Sequence, residues 1–213
     1  AEGVFSPPSV VVSQEEEEED SGRTAGDAEW IAARGEGGAS LPGGSWRNSA
    51  RAARLEDESN SLLRVLSAEL RTVEGDWRRD AILVVRGAQD DLENVNGHFR
   101  RSPEARTRLF ERLADALRQR TENPESRRRF LKLCANLRDH PCTAKYRSLK
   151  LSNAVVRDVL LAPGDAALAW LRVANGFAPS GDDLLLVPVH EPDTHVQDRA
   201  RAAHEVLLRL WPS

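Results

Sequence analysis

The 213-residue chain is 40% apolar and 30% charged, and its formal net charge is only -4. The sequence has no apolar run long enough to span a bilayer, so the composition predicts a soluble protein with no membrane partner. The small net charge comes largely from one acidic tract, and the overall field therefore says little about binding partners.

The first 54 residues have the composition of a disordered tail. They contain Ser-Pro-Pro, a run of six acidic residues at 15–20 and several glycine-rich patches. Such a segment buries too little apolar surface to offset the entropy of ordering the chain. Trp30 and Trp46 are either isolated tail aromatics or short linear motifs that fold on a partner. We therefore predict that residues 1–54 are disordered.

Residues 55–100 are predicted to form a helical extension. Apolar residues recur there at helical spacing before Gly75, and this favours an amphipathic helix. The apolar run at 82–85 is compatible with either a helix or a strand. The region either extends the C-terminal domain or packs on it as a helical hairpin. The residues that define the helical spacing are Leu62, Leu63, Leu66, Leu70 and Val73.

Two helix-start signals follow. Ser102-Pro103 and Asn123-Pro124 each place an N-cap residue before a proline at the first helical position. Apolar residues at helical spacing come after both, which predicts two amphipathic helices. Their predicted inward residues are Leu109, Phe110, Leu113 and Leu117 in the first helix, and Phe130, Leu131, Cys134 and Leu137 in the second.

A strand and a short helix are predicted next. A turn at 139–143 leads into an extended segment around Tyr146. Ser152 or Asn153 then caps a short helix, which Pro163 ends.

A further helix, a strand and a last helix complete the chain. Asp165 begins a helix that ends at Asn175-Gly176, where glycine tolerates left-handed backbone geometry. A strand at 184–189 is able to pair with the Tyr146 segment. Asp193 caps the last helix. The predicted inward residues of the two helices are Leu168, Leu171, Ala174 and, in part, Trp170 in one, and Val196, Ala200, Ala203, Leu207 and Leu210 in the other.

The run at 145–153, Lys-Tyr-Arg-Ser-Leu-Lys-Leu-Ser-Asn, holds the only tyrosine and two of the three lysines. In an extended segment Tyr146, Ser148 and Lys150 share one face, and Leu149 and Leu151 the other. An aromatic ring and a cation share the solvent-exposed face, and the apolar face anchors the segment to the core. This arrangement suits recognition of an acidic peptide better than catalysis.

This run resembles the PUB domain, also called PUG, of peptide N-glycanase. The resemblance extends to Asp-His-Pro at 139–141, Gly-Asp-Ala-Ala at 164–167, Gly-Phe at 176–177 and Asp-Leu-Leu-Leu-Val-Pro at 183–188. It covers roughly residues 101–213. It implies an α+β fold, mainly a helical bundle with a small antiparallel sheet.

The resemblance also implies a function. PUB domains receive the acidic, aromatic C-terminal tail of the valosin-containing AAA ATPase, or a related peptide, in ubiquitin and protein quality-control pathways. Carried over to this chain, Tyr146 forms an aromatic wall, Lys150 pairs with acidic groups and Asn153 binds the peptide backbone. Lys145 and Arg147 complete the expected peptide-binding set. The chain departs from the glycanase pattern in having Lys150 where arginine stands and Ser152 where glycine is common.

Other classes of function have weaker support. Asp139, His140 and Cys142 are near neighbours in a loop and make a poor catalytic triad. His190, Asp193 and His195 lack a recognisable metal-ligand spacing, so neither a metal nor a cofactor is expected.

Nucleic-acid binding is not expected either. The arginines at 100–101 and 127–129 are interleaved with glutamates and form no concentrated basic face. Two cysteines without a disulfide framework favour a cytoplasmic or nuclear protein. The alternative is a structural subunit that packs by its helices, its pocket empty or filled by its own chain. The acidic run at 15–20 is either a solvated spacer or a competitor for the expected peptide-binding residues around Tyr146.

Overall fold

The computed structural model describes residues 41–87, 90–186 and 193–211. Within these ranges the chain contains helices and small antiparallel sheets, so its class is α+β. Residues 1–40 of the predicted tail, with Trp30 and the acidic run, lie outside the described ranges. The last part of the predicted strand, residues 187–189, and His190 also lie outside them. No helix in the described ranges has both the length and the apolar character needed to cross a membrane.

The region predicted as a helical extension consists of strands, so that prediction is wrong. β1 (Ala50–Asp57), β2 (Leu63–Arg71) and β3 (Trp77–Val85) form an antiparallel sheet in the order β1-β2-β3. β4 (Leu92–Val95) and β5 (His98–Arg101) form a hairpin.

The spacing of Leu66 and Leu70 explains the error. Residues four apart share a face of a helix, but they also share a face of a strand because four is even. Leu66, Ala68 and Leu70 are all buried, and this alternation follows the strand period. Val73, which completed the helical pattern, lies in the β2–β3 connection with 81% of its surface exposed.

The predicted disordered tail is also too long, because residues 41–54 are folded. Trp46 is 1% exposed and packs with Leu66 and Leu92 in a core beneath the first sheet. Its indole Nε1 donates a hydrogen bond to the carbonyl of Gly43 at 3.0 Å. Gly44 has φ 113°, and a Cβ atom there would overlap the Leu92 backbone. The glycines therefore permit a close backbone approach, and Trp46 is a core residue.

Three long helices form the second core. α1 (Pro103–Arg120) and α2 (Pro124–Asp139) begin where the sequence predicts. Ser102 Oγ accepts from the Ala105 amide at 3.1 Å, and Asn123 Oδ1 accepts from the Glu125 amide at 2.8 Å. α4 (Asp193–Leu210) packs on both helices.

The predicted inward residues of α1 are buried, and most of those of the other helices are too. Leu131 in α2 and Leu210 in α4 are only half-buried. α3 (Asp165–Ala169) continues into a π-helical segment, Trp170–Ala174. Leu168 in α3 is likewise half-buried. Trp170, expected to be partly inward, is completely buried.

A small sheet lies beside the helices. β6 (Ser148–Lys150), β7 (Phe177–Ser180) and β8 (Asp183–Leu186) are antiparallel in the order β6-β8-β7. The predicted pairing of the two segments is confirmed, with Ser148 opposite Leu185. β7 was not predicted. Tyr146 does not belong to β6, because it ends a 3₁₀ turn, Ala144–Tyr146.

The first sheet and the helices share apolar and polar contacts. Leu63 and Val85 belong to the helical core. Asn60 Nδ2 donates to the carbonyl of Asp165 at 2.9 Å. Glu58 accepts from Arg172 Nη1 at 2.9 Å and from its Nη2 at 3.1 Å. These contacts hold the β1–β2 connection against the first residue of α3 and against the π-helical segment Trp170–Ala174.

Candidate functional site

A surface pocket of about 200 Å³ lies against one face of α2. It is closed on its other sides by the 3₁₀ turn, by Leu149 of β6 and by Val155 and the π-helical segment Val156–Leu160. We call it the α2 pocket. Leu133 and Leu160 are buried, and Leu149 and Val156 pack on the helical core. Val155 is 40% exposed at the pocket. The floor is thus apolar and anchored in the core, while part of the rim leaves apolar surface open to solvent.

α2 contributes four side chains to the pocket at helical spacing. Positions i, i+3, i+4 and i+7 lie on one face of a helix. In α2 these positions place two cations, one leucine and one carboxamide on the pocket side. They are Arg129, Lys132, Leu133 and Asn136.

Tyr146 lies at the side of the pocket, at the end of the hydrogen-bonded 3₁₀ turn Ala144–Tyr146. Its amide donates to the carbonyl of Thr143 at 2.9 Å. The His140 ring stacks with the Tyr146 ring, with centroids 5.8 Å apart and planes 27° apart. Lys145 Nζ lies 4.7 Å from the centroid of the Tyr146 ring. Since the phenol packs on the core and between these neighbours, its position is fixed without a ligand.

The pocket carries positive charge that the protein balances only in part. Arg129 Nε pairs with Glu125 Oε1 at 2.7 Å. Lys132 and Lys145 are exposed, and neither has a carboxylate within ion-pairing distance in the part of the chain that the structure describes. The two ammonium groups are thus available to anionic groups of a ligand.

Asn136 adds a hydrogen-bonding group. It is half-buried in α2, and within the described ranges its side-chain amide makes no hydrogen bond. A carboxamide supplies both donors and an acceptor, which is the pairing that a peptide main chain needs. The sequence alone did not identify Asn136 as a binding residue. The helical spacing of Arg129, Lys132 and Asn136 is the signal that would have revealed this face.

Only two of the five predicted peptide-binding residues line the α2 pocket. They are Lys145 and Tyr146. Lys150 lies exposed in β6 opposite Asp183, and it is not a lining residue. Membership of the run at 145–153 is therefore not enough to bring a side chain to the pocket, because the 3₁₀ turn Ala144–Tyr146 breaks the alternation expected of an extended segment.

The other two predicted residues have local structural contacts. Arg147 Nε donates to the carbonyl of Pro141 at 2.6 Å, which ties down the loop before Tyr146. Asn153 Oδ1 accepts from the Val155 amide at 2.9 Å, and its carbonyl accepts from the Arg157 amide at 3.0 Å. Asn153 therefore caps the next helical turn, as predicted, and Ser152 does not.

Cys134 is buried and Cys142 is exposed, and the described ranges hold no metal-ligand set. Burial raises the pKa of the Cys134 thiol to about 11, although a hydrogen bond from Asn175 Nδ2 opposes the rise. A thiol held protonated in this way is a poor nucleophile. No three His, Cys, Asp or Glu side chains of the described residues converge on a point where an ion would bind.

The pocket combines an apolar floor, an aromatic wall, two ammonium groups with no carboxylate partner among the described residues, and one carboxamide. Such a surface is able to hold an apolar side chain, nearby carboxylates and a stretch of main chain together. These groups define a candidate peptide-docking site. Comparison with protein-family models, with curated proteins and with solved structures found no match to this chain.

Proposed function

We propose that this protein is a non-catalytic, PUB-like docking module. Its ligand in this proposal is the acidic C-terminal tail of the valosin-containing AAA ATPase, or a related short peptide, in cytoplasmic or nuclear protein quality control. The observation that carries the proposal is the meeting of the only tyrosine with two lysine side chains, neither of which pairs with a carboxylate of the described residues, over an apolar floor.

Each part of the α2 pocket has a role in this proposal. An aromatic or aliphatic side chain of the peptide lies on Leu133 and Leu160, beside the ring of Tyr146. Removing that side chain from water supplies the main apolar contribution to affinity. Acidic groups next to it pair with Lys132 and Lys145. The Asn136 amide bonds the peptide backbone and sets its register.

The size of the pocket sets the expected strength of binding. A pocket of about 200 Å³ holds one or two side chains. We therefore expect an interface below about 1,200 Å² in total and a Kd near micromolar, or about -8 kcal/mol. Because both cations are exposed, charge should speed the encounter and salt should weaken it.

The single tyrosine allows a direct test. Biosynthetic fluorotyrosine labelling gives one fluorine NMR resonance, at the pocket itself, whereas the five tryptophans would confuse a fluorescence titration. We expect a short acidic peptide ending in Leu-Tyr-Gly to shift this resonance to saturation. A peptide of the same composition in reversed order is the control.

The three lysines provide a matched set of variants. Lys132→Gln and Lys145→Gln should each weaken binding by about tenfold, the effect of losing roughly 1.4 kcal/mol from a charge-assisted contact. Lys150→Gln should change Kd much less, because Lys150 does not line the pocket. No saturable shift, or equal Kd values for all three variants, would refute the proposal for this pocket. A loss confined to Lys150→Gln would instead favour the arrangement that the family resemblance implies.

The alternative function is a structural subunit that packs by its helices in a larger assembly. The observation in its favour is Leu208 on α4, which is 50% exposed. If helix packing is the function, Leu208→Glu should release the protein from its assembly, and the Leu-Tyr-Gly peptide should not bind. If peptide docking is the function, Leu208→Glu should leave the peptide Kd unchanged.

A further inference from the structure

We propose that Arg128 and Arg129, in the first turns of α2, form a second anionic subsite next to the α2 pocket. The inference rests on the proposed function, because the peptide that fills the pocket is the one that reaches these two arginines. It narrows the ligand to a peptide that carries a run of acidic residues on one side of the side chain in the pocket. We call Arg128 and Arg129 the arginine pair.

The arginine pair shares one carboxylate. Arg128 Nη1 lies 2.9 Å from Glu125 Oε2, and Arg129 Nε lies 2.7 Å from Glu125 Oε1. No other carboxylate of the described residues pairs with either guanidinium group. Each guanidinium has five N–H donors, whereas a carboxylate has only about four acceptor positions. Two cations against one anion therefore leave one net positive charge, and most of the donors of the pair, for a ligand.

Both guanidinium groups are open to solvent beside the pocket. The side chain of Arg128 is 74% exposed and that of Arg129, which lines the pocket, is 42% exposed. Residues three and four apart share one side of a helix, so the pair lies about 5 Å along the axis from Lys132. In an extended peptide, side chains on the same side are about 7 Å apart. Acidic residues at alternate positions thus match Lys132 and the arginine pair in spacing.

Charge is distributed unevenly along this face of α2. Toward its C-terminal end the face carries the uncharged Asn136 and then Asp139, whose carboxylate accepts from Arg138 Nε at 2.7 Å and from its Nη2 at 2.8 Å. An acidic run over that end would meet a carboxylate. The opposite end holds the arginine pair, and a helix N-terminus carries a partial positive charge that also favours an anion. The acidic residues of the ligand therefore extend toward the start of α2.

The test compares two peptides that end in the same Leu-Tyr-Gly. One has two glutamates directly before this ending, and the other has four. Calorimetric titration of the full chain, or fluorotyrosine NMR, gives the ratio of the two Kd values. We expect the four-glutamate peptide to bind about fivefold more tightly, because its outer glutamates reach the arginine pair. In the variant with both Arg128→Gln and Arg129→Gln, this ratio should fall close to one.

A matched control removes two positive charges elsewhere. Arg118 in α1 and Arg201 in α4 are also exposed, and each pairs with an aspartate three residues earlier in its helix. The variant with Arg118→Gln and Arg201→Gln has the same net charge as the arginine-pair variant and should keep the fivefold ratio. A ratio that falls equally in both variants would mean that the ligand responds only to overall charge, and it would overturn the inference.

Glu125→Gln provides a test of opposite sign, which a misfolded variant could not imitate. Without the shared carboxylate, the four-glutamate peptide should bind about twofold to fivefold more tightly than it binds the unmodified chain. Asp115→Asn, on α1, makes the same charge change away from the pocket and should have no such effect. A fivefold ratio that persists in the arginine-pair variant, or a ratio of one in the unmodified chain, would overturn the inference and leave the proposed function in place. If neither peptide binds, the proposed function is wrong and the inference fails with it.

Discussion

The ammonium group of Lys145 lies over the ring of Tyr146, with Nζ 4.7 Å from the ring centroid. A cation held at this distance is attracted to the electron-rich face of the ring. The contact keeps the charge beside the phenol, and the stacked His140 ring restricts the phenol further. The aromatic wall and one cation of the α2 pocket are thus preorganised as a unit, which lowers the entropy lost on binding.

Tyr146 should act through its ring and not through its hydroxyl group. We expect Tyr146→Ala to raise the peptide Kd at least tenfold, because the apolar wall is lost. Tyr146→Phe should keep most of the affinity. The ring is only half-buried, so the alanine variant should lose no more than about 2 kcal/mol of unfolding free energy. Calorimetric titration and urea unfolding measure the two effects. A fully unfolded Tyr146→Ala protein would show that the residue mainly holds the 3₁₀ turn in place.

The two asparagines near the pocket should have separable roles. Asn136 lines the pocket and its side-chain amide makes no hydrogen bond within the described ranges, so Asn136→Ala should weaken peptide binding and leave the melting temperature nearly unchanged. Asn153 caps a helical turn through the Val155 amide, so Asn153→Ala should cost about 1 kcal/mol of stability. Titration and thermal unfolding of both variants check this. A selective loss of binding in Asn153→Ala would show that Asn153 binds the peptide backbone, as the family resemblance predicts.

Trp46 should contribute strongly to stability. It is 1% exposed beneath the first sheet, and its ring meets that of Phe99 with centroids 5.3 Å apart. We expect Trp46→Ala to lower the unfolding free energy by about 3 to 5 kcal/mol. Trp77 is 40% exposed, and Trp77→Ala is the matched control with a much smaller expected loss. Equal effects in urea unfolding would contradict the inclusion of residues 41–54 in the fold.

The ion pair between Glu58 and Arg172 should make stability depend on pH. The hydrogen bond from Arg172 holds the pKa of Glu58 below its ordinary value of 4.5, against the opposing effect of burial. A lowered pKa means that the unfolded chain takes up the proton first. The pair therefore stabilises the protein above about pH 5, and its contribution is lost as the pH falls through 4.5 and below.

Urea unfolding of Glu58→Gln tests this relation. The variant should lose about 1 to 3 kcal/mol at neutral pH, since it leaves the guanidinium with a poorer partner. It should then lose less stability on acidification than the unmodified chain. Asp158→Asn breaks an exposed pair with Arg157 and should have no measurable effect at neutral pH. Parallel pH profiles for Glu58→Gln and the unmodified chain would refute the assignment.

Elements that depend on neighbouring residues were predictable from the sequence alone. Ser102 and Asn123 cap α1 and α2 because a side-chain oxygen bonds an amide two or three residues further on. Gly176 ends a helical segment with φ 83°, a left-handed backbone geometry that glycine adopts at low cost. The apolar faces of the long helices were also predictable, because their period is fixed by the helix itself.

The remaining features depend on tertiary packing. Leu66 and Leu70 satisfy helix and strand periods equally, and the choice of strand followed from pairing with β1 and β3 and from packing on Trp46. The α2 pocket likewise depends on packing, because it forms where α2 meets the turn, strand and π-helical segment that follow it in the chain. Packing brings Lys132 and Asn136 beside Tyr146, whereas Lys150 and Asn153, close to Tyr146 in the chain, do not line the pocket. Local sequence governs hydrogen bonds between near neighbours, but the composition of a pocket depends on which faces of the packed elements bury their apolar surface together.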